Sequence, residues 1–165
     1  MKNYEIERKF LIKEMPPDLH KYPKLEIEQG YLCTKPVLRV RKENDNYYMT
    51  YKGKGFSVRE EYNLPLTEEA YRKLILKADG VVISKDRYNV PIENNYEDSY
   101  DLIAQVDIFH GKHEGLSMVE VEFDTLEEEQ AFIPPDWFGA EVTENYEYSN
   151  SWLSEHPFGG EDEFS

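Results

Sequence analysis

Two-residue alternation runs through this chain. Glu5-Ile6-Glu7-Arg8-Lys9-Phe10 sets the pattern. Successive side chains of an extended strand point to opposite faces, so Glu5, Glu7 and Lys9 share one face and Ile6, Arg8 and Phe10 the other. Polar or charged residues recur at i and i+2 in Arg39-Val40-Arg41, Thr50-Tyr51-Lys52, Arg59-Glu60-Glu61, Lys85-Asp86-Arg87 and Glu120-Val121-Glu122. One such pair marks a solvated strand face. Repeated in separate segments, with basic copies set against acidic ones, the pattern implies a sheet closed around a charged interior.

The β-branched and aromatic runs predict strands over Tyr4–Ile12, Lys24–Cys33, Val37–Lys42, Tyr47–Lys52, Ser57–Leu64, Val81–Val90, Leu102–Phe109 and Met118–Asp124. Glu43-Asn44-Asp45-Asn46 supplies a hairpin turn and Gly53-Lys54-Gly55 a second flexible connection. Thr67 reads as an N-cap before Glu68 and Glu69, opening a helix to about Lys77, and Thr125–Ala131 repeats that logic. A third helix is expected from Thr143 to about Leu153, with Tyr146, Tyr148 and Trp152 packing on the sheet or covering one mouth. The expected fold class is α+β, mainly β: a closed eight-stranded antiparallel barrel with helices outside and at its ends. Residues 1–156 form one domain in this reading, and 157–165 a fraying, acidic tail.

Composition sharpens the picture. The 165 residues suit one domain with a real core. A net charge of −15 and a pI near 4.7 argue against nucleic acid as a partner, because a phosphate backbone needs a basic surface. With Lys9, Arg39, Arg41, Lys52, Arg59, Lys85 and Arg87 facing inward alongside Glu5, Glu7, Glu61, Asp107, Glu120 and Glu122, the interior is close to neutral. The exterior then carries the acidic excess, which keeps the molecule soluble and repels polyanionic polymers. Cys33 is the single cysteine, so an intrachain disulfide or cysteine zinc site is excluded. No apolar run reaches membrane-spanning length and the first segment is a charged strand, which makes the cytoplasm the default and gives no membrane partner. No sequence feature defines an oligomeric state. His110 and His113 flank Gly111 in an expected loop, where solvent exposure is the simpler reading.

A dozen charges inside a small barrel are costly unless they pair with each other or meet an ionic ligand. Here the residues resemble a known family. Glu5-Ile6-Glu7-Arg8-Lys9 is similar to the ExExK signature of the CYTH superfamily, the triphosphate tunnel metalloenzymes. The likeness continues through Gln29-Gly30-Tyr31-Leu32, Arg39-Val40-Arg41, Thr50-Tyr51-Lys52, Arg59-Glu60-Glu61-Tyr62 and Lys85-Asp86-Arg87-Tyr88. It extends through Val106-Asp107-Ile108-Phe109 and Met118-Val119-Glu120-Val121-Glu122-Phe123 to Phe138-Gly139-Ala140-Glu141-Val142-Thr143. The ordered set spans nearly the whole chain and most resembles short bacterial members that hydrolyse inorganic tripolyphosphate.

The resemblance implies a triphosphate tunnel of eight antiparallel strands holding Mg²⁺ or Mn²⁺ and a small-molecule triphosphate. It implies that Lys9, Arg39, Arg41, Lys52, Arg59 and Arg87 hold phosphate oxygens. Glu5, Glu7, Glu61, Glu120 and Glu122 would handle the metal, with Asp107 a further ligand. Lys85 and Tyr31 match a lysine–tyrosine pair assigned to the chemical step, although Tyr31 also reads as an aromatic of the wall. Two departures stand out. Asn63 occupies a place where the family often has an acid, and Asn145 and Glu147 replace the C-terminal Thr-x-Asp motif and its following base. Physical chemistry agrees with the assignment: guanidinium and ammonium groups suit a chain of phosphates, and carboxylates suit a hard divalent cation. The leading function, tripolyphosphate hydrolysis, extends in this reading to nucleoside triphosphates; the competing functions are thiamine triphosphate hydrolysis, class IV adenylyl cyclisation, and a polyphosphate-binding module without turnover.

Overall fold

The alternation closes the sheet as expected. The computed structural model describes residues 4–158 except residue 98. Nine antiparallel strands form, β1 (Tyr4–Ile12), β2 (Lys24–Thr34), β3 (Val37–Glu43), β4 (Asn46–Lys52), β5 (Val58–Pro65), β6 (Asp79–Asn94), β7 (Ser99–His110), β8 (Ser117–Phe123) and β9 (Phe138–Glu141). Their order is β5-β4-β3-β2-β6-β7-β8-β1, and pairing of β5 with β1 closes an eight-stranded barrel. β1 divides one edge between two partners. Tyr4, Glu5 and Ile6 pair with β5, whereas Phe10 and Ile12 pair with β9. Between those contacts Glu7 N donates to Ser57 O and Lys9 O accepts from Val142 N, both at 2.8 Å, so β1 passes from one partner to the other.

Burial is inverted relative to an ordinary barrel. The main apolar cluster lies on the outer faces of β1, β6, β7 and β8, and includes Ile6, Phe10, Val90, Val106, Val121 and Phe123. It is covered by Phe132, which follows helix α2 (Leu126–Ala131), and by Phe138 of β9. Phe10, Phe123, Phe132 and Phe138 meet through tilted and edge-on ring contacts at 4.9–6.1 Å. A second cluster of Tyr31, Val37, Ile83, Phe109, Leu116, Met118 and Leu153 stops one end of the barrel. The inward faces therefore turn from charged to apolar along their length. Helix α1 (Glu68–Ile75) lies across β2 at Gly30, where a β-carbon would stand 2.7 Å from Ala78 Cβ.

Three elements depart from expectation. β9 was not anticipated, because four residues after Pro134-Pro135 are too few to display alternation. The single helix expected from Thr143 to Leu153 is instead a 3₁₀ turn at Tyr146–Tyr148 followed by a short helix, α3 (Asn150–Leu153). Asn145 Oδ1 accepts from Glu147 N and Ser149 Oγ accepts from Trp152 N, so two capping residues divide the segment into two turns. His113 is fully buried, and its Nε2 donates to Leu153 O at 2.6 Å, against the expectation of a solvated loop. The expected fraying tail lies largely at 159–165, outside the described residues. No helix among those residues is long and apolar enough to cross a membrane.

The outer aromatic cluster is the apolar core on which the charged face depends. Phe123→Ala, at a 1% exposed position, is expected to destabilise the protein by about 3–5 kcal/mol. Chemical denaturation followed by circular dichroism measures this, and a loss under 1 kcal/mol would remove the cluster's central role.

Candidate active site

The inward face of the barrel encloses a cavity of about 360 Å³. It is lined by Glu5, Glu7 and Lys9 from β1, Arg39 and Arg41 from β3, Lys52 from β4, and Arg59 and Glu61 from β5. Tyr31, Arg87, Glu120 and Glu122, also expected from the sequence, line it as well. Lys85 and Asp107 do not line the cavity. They lie directly behind it, with side chains 0% and 2% exposed.

The charges are not evenly paired. Asp107 sits between Arg87, whose Nε and Nη2 donate to it at 2.7 and 2.9 Å, and Lys85 Nζ at 2.8 Å. Arg87 also reaches Glu120 at 3.1 Å, and Lys9 Nζ is 3.3 Å from the same carboxylate. Burial pushes the Glu120 and Asp107 carboxyls upward, but these cations outweigh it and hold both below the usual carboxylate range. Asp107 is thus engaged by two cations, which leaves it poorly placed to serve as the further metal ligand suggested by the resemblance.

Farther along the same strands, where β1 meets β8 and β5, acid predominates. One carboxylate oxygen from each of Glu5, Glu61 and Glu122 lies within 4.8 Å of the others. Lys52 Nζ stands 2.6 Å from Glu5 and 3.9 Å from Glu61. Burial would raise the Glu5 carboxyl, but Lys52 draws it below its ordinary value. For Glu7 the pull of Lys52 and Lys9 is outweighed, and no cation is among the main influences on Glu122. Burial and then the charges of Glu120 and Glu5 push Glu7 up to about 8; loss of surrounding water, then Glu5 and Glu61, pushes Glu122 up to about 7, although its side chain keeps an exposed face that screens part of this effect. Three hard oxygen donors converging from three strands fit a divalent cation, which would relieve this repulsion.

Two arginines face the cavity with no carboxylate partner among the described residues. Arg39 Nη2 donates to Thr50 Oγ1 at 3.2 Å, while its Nε is buried without a partner. Arg59 Nε donates to Gly53 O at 3.1 Å. Thr50 Oγ1 in turn donates a hydrogen bond to Asn63 Oδ1 at 2.6 Å, so Asn63 props the hydroxyl that supports Arg39.

A neutral network joins the remaining groups. Arg41 Nε donates to Gln29 Oε1 at 2.7 Å, and Gln29 Nε2 lies 3.3 Å from both Tyr31 Oη and Asn150 Oδ1. Asn150 Oδ1 also accepts from Lys85 Nζ at 3.1 Å. Burial lowers the Lys85 ammonium to about 7, with Arg87 and Arg41 adding to the effect and Asp107 opposing it. Like charge alone would suggest a similar direction, but desolvation is the larger cause. Gln29, Thr50 and Asn150 were missed as site residues. Gln29 shares strand parity with Tyr31, a signal that was available, whereas Asn150 sits in a short turn of helix with no periodicity to reveal it.

Comparison with known proteins places this arrangement in a class. Residues 3–147 match the CYTH domain model, and the chain belongs to the CYTH family. Among its relatives, the inorganic triphosphatase of Nitrosomonas europaea is 37% identical over 154 residues, covering 91% of this chain and 96% of that protein. The inorganic triphosphatase of Acetivibrio thermocellus is 34% identical over 161 residues, covering 93% and 95%. A crystal structure of an inorganic triphosphatase superimposes with a TM-score of 0.67 at 34% identity, over 94% of this chain and 97% of the other.

The uneven pairing has a consequence for stability. Between pH 4.5 and the raised values of about 7 and 8, folded Glu122 and Glu7 keep protons that the unfolded chain has released. The folded state binds more protons, so stability falls as pH rises through that window. Glu5, Asp107 and Glu120 act in the opposite sense: their stabilisation is lost as pH falls through their depressed values. Lys85, lowered from 10.5 to about 7, makes stability rise with pH only above about 7. The metal-free protein should therefore melt highest near pH 5 and lower at pH 7. Added Mg²⁺ should raise Tm more at pH 7 than at pH 5. Thermal melts in EDTA and in Mg²⁺ check both signs.

Proposed function

We propose that this protein hydrolyses inorganic tripolyphosphate within the barrel, in a reaction dependent on Mg²⁺ or Mn²⁺. The observation that carries the reading is the pair of cavity-facing arginines, Arg39 and Arg59, left without carboxylate ion pairs in the same cavity as a cluster of three convergent glutamates. A polyanion neutralised by fixed guanidinium groups and a divalent cation satisfies both halves of that cavity. Arg39, Arg59, Arg41, Lys9, Lys52 and Arg87 hold phosphate oxygens in this scheme. Glu5, Glu61 and Glu122, with Glu7 and Glu120 beside them, would hold the cation. When bound, the cation neutralises phosphate charge as bonding changes at phosphorus.

In the chemical step, a water oxygen bonds to a terminal phosphorus and the bond from that phosphorus to the bridging oxygen breaks. Orthophosphate and pyrophosphate result. The Tyr31 hydroxyl lies at the cavity edge, where it can orient the water. We assign the water's proton to Lys85, which stands behind the cavity wall with Nζ 3.1 Å from the cavity-lining Asn150 and whose ammonium burial lowers to about 7. Lys85→Ala should then depress kcat by about a hundred- to a thousandfold with little change in KM. A raised KM at unchanged kcat would instead make Lys85 a phosphate-binding charge.

A second reading has its own support. Beside the cavity opens a vestibule of about 710 Å³ whose lining includes Tyr51, Phe56 and Tyr146 with Lys9, Lys52 and Arg59. Such a mouth can receive the organic part of a nucleoside or thiamine triphosphate while the phosphates enter the barrel. A polyphosphate-binding module without turnover is less well supported, since both members of the expected lysine–tyrosine pair are present, Tyr31 lining the cavity and Lys85 buried behind it.

Phosphate release from tripolyphosphate, pyrophosphate, ATP and thiamine triphosphate separates these readings. Tripolyphosphate should be the best substrate, activity should vanish in EDTA, and either Mg²⁺ or Mn²⁺ should restore it. Arg39→Ala should raise KM for tripolyphosphate by about ten- to a hundredfold, the loss of one charge-assisted contact. Equal turnover in EDTA would sink the metal-dependent scheme.

A further inference from the structure

Asn150 stands outside the 3–147 stretch matched by the family model, yet it is the residue through which the C-terminal helix reaches the site. Its side chain lines the cavity beside Ser149 and Ser151. The backbone on either side is fastened to the barrel. Lys9 Nζ donates to Tyr148 O at 2.9 Å, Leu153 O accepts from buried His113, and Val81 N donates to Ser154 O at 2.6 Å. Gly80, at φ +72°, permits that last approach, because a β-carbon there would collide with the Ser154 carbonyl. Asn150 is therefore presented by an anchored segment.

The orientation of its carboxamide follows from the donors around it. Arg41 can only donate, so the Gln29 atom 2.7 Å from its Nε is the carbonyl oxygen, and Gln29 must turn its NH₂ the other way. That NH₂ and the Lys85 ammonium both point at one atom of Asn150, at 3.3 and 3.1 Å. Two donors require an acceptor, so this atom is Oδ1. Chemistry thus settles an amide flip that coordinates alone leave open. Asn150 Nδ2 is then directed away from both donors, and it makes no hydrogen bond to any described residue. An N–H donor on a cavity wall, fixed by a chain of three side chains, is preorganised for an anionic oxygen.

We infer that Asn150 is a substrate-binding residue whose Nδ2–H donates to a phosphate oxygen of tripolyphosphate, with its orientation fixed by Arg41, Gln29 and Lys85. This inference rests on the tripolyphosphate reading and deepens it by adding a neutral donor to the ring of cations. A neutral donor supplies direction without adding to the positive charge that already surrounds Arg41 and Lys85. It also gives the C-terminal helix a part in recognition, despite the loss of the acidic and basic residues expected near Asn145 and Glu147.

Two substitutions separate donation from support. Asn150→Asp keeps an oxygen acceptor for Lys85 and Gln29 in nearly the same volume but has no N–H. Asn150→Ala removes donor and acceptor without adding charge. Tripolyphosphate affinity is measured by calorimetry in EDTA, KM is measured with Mg²⁺, and thermal melting checks the fold. Both variants are expected to weaken affinity by about ten- to a hundredfold while the aspartate variant melts close to the parent protein. Parental affinity in either variant would overturn the inference: retained binding in Asn150→Asp would leave Asn150 as an acceptor for Lys85, and retained binding in Asn150→Ala would leave it no contact at all. Parent protein that neither binds nor hydrolyses tripolyphosphate would defeat the functional reading and this inference together.

Discussion

Asp107, 1% exposed and held between Lys85 and Arg87, states the constraint on which this fold depends: charge taken out of water must find charge. A single ion buried alone would change its protonation state or unfold the region around it, so the interior can be polar only if it is collectively near neutral. The rest of the architecture follows. With the inward face given over to charge, apolar burial moves to the outer faces of β1, β6, β7 and β8 beneath Phe132 and Phe138. The inner face becomes apolar only at the stopped end, around Phe109, Met118 and Leu153. Water is thereby limited near the buried ions, and each remaining ion pair is strengthened by the lower polarity around it.

Neutrality overall does not mean neutrality everywhere. Lys9, Lys85 and Arg87 satisfy Asp107 and Glu120 so fully that both carboxyls are depressed, whereas Glu7 and Glu122 are left to repel their neighbours and rise to about 8 and 7. Arg39 and Arg59 carry the complementary deficit. A protein selected for stability alone would gain by pairing these groups, most of all the buried Arg39, since charge taken from water without a partner is destabilising. The unsatisfied cations and carboxylates instead face one cavity, where an anion and a divalent cation together satisfy both. Binding energy is concentrated where folding left charge uncompensated.

The fold was legible because strand parity has a physical signature. A residue on a strand has only two directions available, so Arg39 and Arg41, or Glu120 and Glu122, had to share a face. Most strand limits were found within a few residues of their observed ends, although β6 and β7 run longer than the pattern indicated. What the pattern could not reveal was pairing across the cavity. Asp107 and Glu120 look equivalent in sequence, yet only Glu120 lines the cavity and Asp107 lies behind it. Nor does parity extend into irregular backbone. His113 read as a loop residue and is buried against Leu153, and Asn150 carried no motif because its importance comes from Gln29 and Lys85, 121 and 65 residues away. Short segments such as β9 and α3 are placed by the surfaces that receive them, and those surfaces exist only once the barrel has closed.

Asn63 shows how one departure from the family pattern acts on both signs of charge. A carboxylate in its place would add a fourth acid near Glu5, Glu61 and Glu122 and would sit two residues from Glu61 on the same strand face. It would also lie beside Thr50, the hydroxyl that accepts from Arg39. Asparagine keeps the oxygen that Thr50 needs and removes the charge. The acidic wall is then less repulsive before any cation arrives, while the Arg39 guanidinium is left without a competing carboxylate at short range. Metal affinity and phosphate affinity are set by the same position in opposite directions, because in a closed charged barrel no carboxylate is added for a cation without also being subtracted from an arginine.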